Sequence, residues 1–517
     1  DDVKVAPYMG VASPMVAAGS AHTIALKYDG TVWTWGYNGY GQLGQGNTTS
    51  VYSPVQVKSS DGSSYLTDII EIAVGAYHNL ALAKDGTVWS WGYNEDGELG
   101  NRTTANSSLP VKVIGVSDVV SIAAGYYNSF AVRKDGTVWS WGYNNYGQLG
   151  LGDSTRRTTA QQVLGGASGS QYLTDIVEVK AARHHTLALK ANGTVYAWGY
   201  NYYGQLGSNG GNSYTPVQVV TGEQKSASGY LEKVVDIDNV SSDDNNSNAY
   251  GTSIALTESK EVYGWGYSGY GQLGKTGTFT SPIKVSNINT AVGVALGGTS
   301  TGYFTYILKE DGTVSSLGYN VNGELGNGAH TSTTNVCTVQ GLTNVAQIAG
   351  SKDGNFGAAV KEDGTVWTWG YNSAGNCGIV DRTVIGEPVC VAENAVMVWT
   401  GDLGLDPTYE TIAEYEGFYP MQYNNTVIQK ADGSLWACGE NIGTEIHEIQ
   451  GAEGWYEAVS SAVFHHGESL YDLCIPCTNA VLSGKCRICI PETRKRTGTA
   501  DCCRCKCCFR SHLTDSW

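Results

Sequence analysis

The sequence predicts an all-β fold, a β-propeller, on three observations. One motif of about ten residues occurs eight times, the stretches between copies carry no helical period, and glycine makes up 68 of 517 residues beside 33 tyrosines and 14 tryptophans. That glycine content is about twice average usage, and with only 15% charged residues it points to many short strands and tight turns rather than solvated helices.

The motif reads DGTVWTWGYN at 29–38 and returns at 85–94, 135–144, 192–201, 260–268, 311–320, 363–372 and 432–441. Taking the residue before the glycine of each Trp-Gly-Tyr string as marker (Trp35, Trp91, Trp141, Trp198, Trp265, Leu317, Trp369, Cys438), the spacings are 56, 50, 57, 67, 52, 52 and 69. Each unit has the same order of parts. An apolar run ending in Ala-Gly, such as MVAAG at 15–19, leads into an alternating strand, HTIALK at 22–27. Asp-Gly then supplies a two-residue turn whose positive φ angles those residues tolerate. The return strand TVWTW places Trp33, Trp35 and Tyr37 on one face and Val32 and Thr34 on the other. A Gly-rich loop, GYGQLG at 39–44, precedes a fourth strand marked by PVQV at 54–57. Four strands bearing large aromatics cannot bury them alone, so each sheet must stack on its neighbours, which radial repetition achieves. The longer spacings read as insertions, SSDDNNSN at 241–248 and a segment from about 391 to 419.

Gly-x-x-His-Thr-x-Ala-Leu, Asp-Gly-x-Val-x-x-Trp-Gly and Gly-Gln-Leu-Gly recur over about residues 11–450, and this set resembles the regulator of chromosome condensation repeat family. The style of DGTVWTWGYN and GYGQLG is similar to bacterial extracellular members. The resemblance implies a propeller of seven blades, whereas the hairpin count gives eight. The eighth unit departs from the pattern, with Cys438 in place of the tryptophan and NIGTEI at 441–446 in place of Gly-Gln-Leu-Gly. The expected organisation is an N-terminal segment 1–10, a propeller 11–473 and a Cys-rich basic tail 474–517. Family activities are diverse: nucleotide exchange on a small nuclear GTPase, inhibition of a β-lactamase, adhesion and scaffolding. The exchange factor's basic nuclear-targeting arm has no counterpart in DDVKVAPYMG.

Charge divides the chain in the same place. Residues 474–517 hold eight Lys and Arg against three Asp and Glu, and the preceding residues hold 23 against 45. An acidic body repels a phosphate backbone, so no nucleic acid is expected as partner. No apolar run reaches the length of a membrane-spanning helix. The opening DDVKVAPYMG reads as a start left by signal-peptide removal, and the expected setting is extracellular or cell surface.

Nine of 13 cysteines fall in the tail. Cys474, Cys477, Cys486 and Cys489 form two CxxC hooks eight residues apart and are candidate zinc ligands. In an oxidising compartment the same cysteines read as a disulfide knot, and the odd one out as a link between chains. A tail of foreign origin is the third reading. No cofactor is expected in the propeller.

His22, His78 and His185 share one repeat position that Asn128, Thr252, Phe304 and Phe356 hold in other units, which favours a structural role over a ring of ligands. The recurrent aspartates belong to turns, and Glu98 and Glu324 replace the Gln of Gly-Gln-Leu-Gly. No nucleophile elbow, phosphate loop or His-Glu-x-x-His string is present. Tyr40, Tyr146, Tyr203 and Tyr270 recur at one loop position and are the candidate partner-binding residues, with packing onto the next blade as the competing reading. The expectation is a non-enzymatic surface protein that binds a protein or glycan, with a GTPase exchange factor and a subunit of an extracellular fibre or sheath as alternatives.

Overall fold

In the computed structural model, residues 15–400 and 425–448 are described, with interruptions at 21, 28, 242–249, 300, 353, 373–376, 380–381, 431–433 and 440–442. The chain divides into two units, 1–463 and 464–517, and the second, with the tail cysteines Cys474, Cys477, Cys486 and Cys489, lies outside the described residues. The same is true of segment 1–10.

The first unit contains eight four-stranded antiparallel sheets, each made of four strands consecutive in sequence. In blade 1 these are β1 (Met15–Ala18), β2 (His22–Leu26), β3 (Val32–Gly36) and β4 (Val51–Gln56). Blades 2 to 8 repeat this order over 69–112, 119–162, 176–218, 234–284, 291–338, 345–392 and 395–448. The count matches the eight hairpins and corrects the seven blades that the resemblance implies: every hairpin, including the degenerate one around Cys438, has its own inner and outer strand. The first strand of each blade touches the first strands of its neighbours, and β1 meets the first strand of blade 8 (Ala395–Thr400), so the inner strands form a closed circle. No strand is shared across this junction. Among the described residues no helix is long and apolar enough to cross a membrane.

The alternation read from the sequence divides each strand's faces correctly but not into inside and outside. Val32, Thr34 and Trp35 are all buried, because a blade is covered by a neighbour on both faces. The hydrophobic clusters accordingly lie between blades. One joins blades 1 and 2 (Ile24, Leu26, Ile72, Trp91), the next blades 2 and 3 (Leu80, Leu82, Ile122, Trp141), and the series continues to blades 7 and 8 (Val360, Val366, Val398, Ile428).

One polar joint recurs in these interfaces. The backbone carbonyl of the Gln or Glu in Gly-Gln-Leu-Gly accepts the indole N–H of the next blade's tryptophan: Trp91 to Gln42 (2.9 Å), Trp141 to Glu98 (2.7 Å), Trp198 to Gln148 (2.7 Å), Trp265 to Gln205 (2.9 Å) and Trp369 to Glu324 (2.9 Å). A second donor from the same next blade meets the same oxygen: Asn79 Nδ2 (2.9 Å), Ser129 Oγ (3.0 Å), Thr186 Oγ1 (3.0 Å) and Ser253 Oγ (2.9 Å). Where Leu317 replaces the tryptophan, Thr305 Oγ1 alone makes the bond to Gln272 (2.7 Å). Where Gly357 occupies the second-donor position, the hydroxyl of Tyr306, from the same blade as Glu324, donates to that carbonyl instead (2.5 Å) and lies where a Cβ on Gly357 would stand.

The loop that presents this carbonyl is fixed by the buried asparagine of Gly-Tyr-Asn. Asn38 Oδ1 accepts from Leu43 N (2.9 Å) while its Nδ2 donates to the carbonyls of Asn47 and Thr49 (each 3.0 Å), and Asn94, Asn144, Asn201, Asn320 and Asn372 repeat the arrangement. The closing glycine of the loop stands against the next blade's indole: a Cβ on Gly100 would lie 3.0 Å from Trp141, and its φ of 61° is left-handed.

Trp141→Phe keeps most of the ring volume and removes one donor from the Glu98 carbonyl, and is expected to cost about 1–2 kcal/mol in urea unfolding. Trp139→Phe, where the half-exposed indole N–H bonds Thr137 of its own turn (3.3 Å) and no inter-blade carbonyl, is expected to cost less than about 0.5 kcal/mol.

Candidate functional site

The loops that carry the joint also carry the tyrosines. Each candidate tyrosine sits in the turn before the Gln, and its backbone N–H donates to the buried Gln side chain: Tyr40 to Gln42, Tyr146 to Gln148 and Tyr203 to Gln205 at 2.9 Å, Tyr270 to Gln272 at 3.3 Å. All four rings are half-buried. Each lies across the boundary onto aromatics of the following blade. Tyr40 meets Tyr77 and Tyr93 (5.3 and 5.1 Å between centroids), Tyr146 meets His184 and Tyr200 (both 5.1 Å), Tyr203 meets Tyr250 and Tyr267 (4.7 and 5.6 Å), and Tyr270 meets Tyr319 (5.2 Å). The two readings of these residues are therefore compatible in geometry, since each ring packs between blades and keeps part of its surface in water.

The tyrosines form arcs rather than isolated contacts. One runs Tyr37, Tyr40, Tyr93, Tyr127, Tyr143, with Tyr77 and Tyr126 joined to it. The other runs Tyr146, Tyr200, Tyr202, Tyr203, Tyr267, Tyr270, Tyr319. Tyr202 is 72% exposed and is the most open large apolar side chain of the set. Asp96 and Asn322 take the tyrosine position in blades 2 and 6, and Asp96 pairs with Arg156 of blade 3 at 3.1 Å.

The inner strands enclose a cavity of about 480 Å³, lined by Lys180, Asp236, Asp238, Gln347, Lys352 and apolar side chains such as Val74, Val294 and Val398. A smaller space, lined by Tyr126, Arg183 and again Lys352, lies at the strand ends that lead to the tyrosine turns. Arg183 holds its guanidinium 4.1 Å from the centre of the Tyr126 ring, linking channel mouth to aromatic arc. Sequence reading assigned the recurrent acids to turns and missed this group, whose strand members fall at two repeated positions of otherwise apolar inner strands, Asp236 with Gln347 and Lys180 with Asp238.

These charges are largely tied to one another or to the next blade. Glu71 accepts from Ser121 Oγ (3.0 Å) and Ile122 N (3.3 Å) of blade 3, and burial pushes its carboxyl up to about 7. Asp238 accepts from Leu296 N of blade 6 (3.0 Å) and pairs with Lys352 (2.9 Å). Gln347 exchanges two bonds with Val398 of blade 8 (3.2 and 3.1 Å). Lys180 pairs with Glu178 (2.9 Å), and although burial opposes its charge, Glu178, Asp238 and Asp236 together hold its pKa above the usual lysine value. Burial, with the Glu178 charge, pushes Asp236 up to about 6. Among the described residues no three His, Cys, Asp or Glu side chains converge as a metal site.

The repeated histidines complete the blade joint. His22, His78 and His185 direct Nε2 to Asn79 (2.9 Å), Ser129 (3.0 Å) and Ser253 (3.1 Å), the residues whose other bond reaches the loop carbonyl. Burial lowers their pKa to about 4, 3 and 3, so they stay neutral at ordinary pH.

The model of the RCC1-like domain matches residues 6–301. The chain belongs to the RCC1-like domain family. Among relatives of this RCC1-like chain, the ultraviolet-B receptor UVR8 of Arabidopsis thaliana is 30% identical over 321 residues, covering 60% of this chain and 66% of the receptor. The human E3 ubiquitin-protein ligase HERC2 is 28% identical over 382 residues, 73% of this chain but 6% of the ligase. This chain thus spans just under two thirds of the first relative and a small part of the second. Solved structures of yeast Prp20p and human WBSCR16 align with a TM-score of 0.53 and 22% identity, each covering 73% of this chain, and 91% and 97% of those chains. They show the fold.

Glu98 supplies a pH test of the RCC1-like loop. Burial, with Asp96 and Glu95 nearby, pushes its carboxyl from 4.5 up to about 8. The unfolded carboxyl ionises above about 4.5 while the folded one stays protonated, so its contribution to stability is complete below pH 4.5, declines as pH rises to 8, and is lost above. Glu98→Gln is expected to raise Tm at pH 8.5 and leave it nearly unchanged at pH 4.5, as read by calorimetry.

Proposed function

We propose that this RCC1-like propeller is a non-enzymatic binding module that docks a protein partner on its tyrosine-bearing face, in an extracellular or cell-surface setting. The observation that carries the reading is the arrangement of Tyr146, Tyr202 and Tyr203, which stay partly open to water on rigid loops and are joined through ring contacts with the buried Tyr200. Tyrosine offers large contact area with two side-chain torsions to fix, and here most of that freedom is already lost to inter-blade packing, which lowers the entropic cost of binding. Carbohydrate stacks on the same chemistry, so a glycan is the competing partner class. The acidic body favours a partner of positive surface charge and disfavours nucleic acid.

Relatives support a protein partner. Yeast Prp20p has binding properties toward Gsp1p and histones, and yeast RCC1 has been solved in a complex with Kap60. We assign the tail the role of anchor or cross-link through its cysteines, with zinc on Cys474, Cys477, Cys486 and Cys489 as the reduced-compartment counterpart.

The test is selection of binders from a displayed random-peptide library and from a glycan array against the whole chain. The expected result is a family of peptides whose affinity drops about tenfold or more with Tyr202→Ala or Tyr203→Ala. Tyr65→Ala, an exposed tyrosine in the loop between β4 and blade 2, leaves it unchanged. Binders that ignore both arc substitutions would overturn the assignment of the site, and glycans in place of peptides would change the partner class.

A further inference from the structure

The interface between blades 7 and 8 is built differently from the rest. At five other interfaces the loop glycine stands against the next blade's tryptophan: Gly44 against Trp91, Gly100 against Trp141, Gly150 against Trp198, Gly207 against Trp265 and Gly326 against Trp369, each with a Cβ contact near 3 Å. The residue before that glycine is a fully buried leucine in each case, as with Leu149 and Leu325, which share hydrophobic clusters with the facing tryptophans. At blades 7 and 8 both members change together. Cys377 holds the leucine position and Cys438 the tryptophan position. The geometry is kept, since a Cβ on Gly378 would lie 3.2 Å from Cys438 Sγ. Both cysteines are 0% exposed and stand as thiols in this structure, and burial, with Cys438 nearby, raises the pKa of Cys377. With no indole at 438, this interface also lacks the Trp-to-carbonyl bond that clamps its counterparts.

We propose that Cys377 and Cys438 form a disulfide that joins blade 7 to blade 8, made by thiol–disulfide exchange with a small-molecule disulfide. One thiol loses its proton and attacks the oxidant's S–S bond, releasing one small thiolate and leaving a mixed disulfide. The second thiol, also deprotonated, attacks the protein sulfur and releases the other. One S–S bond forms in the protein as one breaks in the oxidant, two electrons pass from the cysteines to it, and two protons end on the released thiolates. Burial pushes the Cys438 thiol up to about 12 and raises that of Cys377, so exchange on the closed ring is slow and proceeds through opening of the last blade or during folding. The bond stands in for the missing clamp and ties the last blade to the ring. It goes beyond the binding reading and is independent of it.

The experiment refolds the whole chain with oxidised glutathione, blocks remaining thiols under denaturing conditions, and sequences disulfide-linked peptides without reduction. The expected finding is a linked pair containing 377 and 438, together with a Tm that falls by roughly 4 °C on reduction. Replacing the pair by the residues of the other interfaces, Cys377→Leu with Cys438→Trp, is expected to make this part of the fall disappear. Recovery of both cysteines in the blocked form, or in disulfides only with glutathione or with tail cysteines, overturns the proposal, and does so from the unmodified chain even where the double variant fails to fold.

Discussion

One carbonyl in each of the first six blades ties that blade to the next. The oxygen of the Gln or Glu in Gly-Gln-Leu-Gly is buried between two sheets, and a buried carbonyl without a donor is costly, so the next blade must bring one. In five of these interfaces it brings an indole, in four of those a second side chain as well, and in three that second side chain is held in turn by a histidine of the first blade; at Gln272 Thr305 serves instead of an indole. The joint is polar and directional, whereas the apolar clusters around it are not. Hydrophobic burial makes the sheets stack, and the carbonyl fixes their register, because an indole N–H displaced by one residue has no acceptor.

Surface features follow from the same joint. To aim the carbonyl outward from its own blade, the loop must be tightly wound, and a buried asparagine and left-handed glycines do this. The turn before the Gln then projects over the boundary, and any large side chain there lies on the neighbouring blade. The tyrosine arcs are the product of that projection repeated around the ring. Under the proposed function they would couple binding to blade packing, since the same rings wedge between blades. The channel obeys a related rule: Glu71, Asp238 and Gln347 use their polar ends to cap backbone of the next inner strand.

The fold was legible because the signals were local and repeated. Asp-Gly turns, the alternating strand and the Trp-Gly-Tyr string each have a short-range cause, and eight copies made the four-stranded unit plain. The number of blades was legible as well, in the hairpin count, and was obscured only by family habit. What sequence patterning could not deliver was which face of a strand is buried, since Val32 and Trp35 are equally enclosed, and which acids line the axis. Asp236 and Asp238 look like loop residues by composition and lie in an inner strand (Val234–Ser241) because the circle of strands brings Lys180 and Lys352 to meet them. The tyrosine turns were found from the spacing of one motif, but their partners from Tyr77 to Tyr319 belong to the following blade, and that adjacency exists only in three dimensions.

The most direct test is hydrogen exchange of the indole protons, observed by NMR on protein labelled at tryptophan nitrogen. If the blade joint is as described, the indole N–H groups of Trp91, Trp141, Trp198, Trp265 and Trp369 exchange slowly and together, at the rate of global opening. Those of Trp33, Trp139 and Trp367, which bond threonines of their own turns on half-exposed rings, exchange much faster. Equal rates in the two groups would contradict the account.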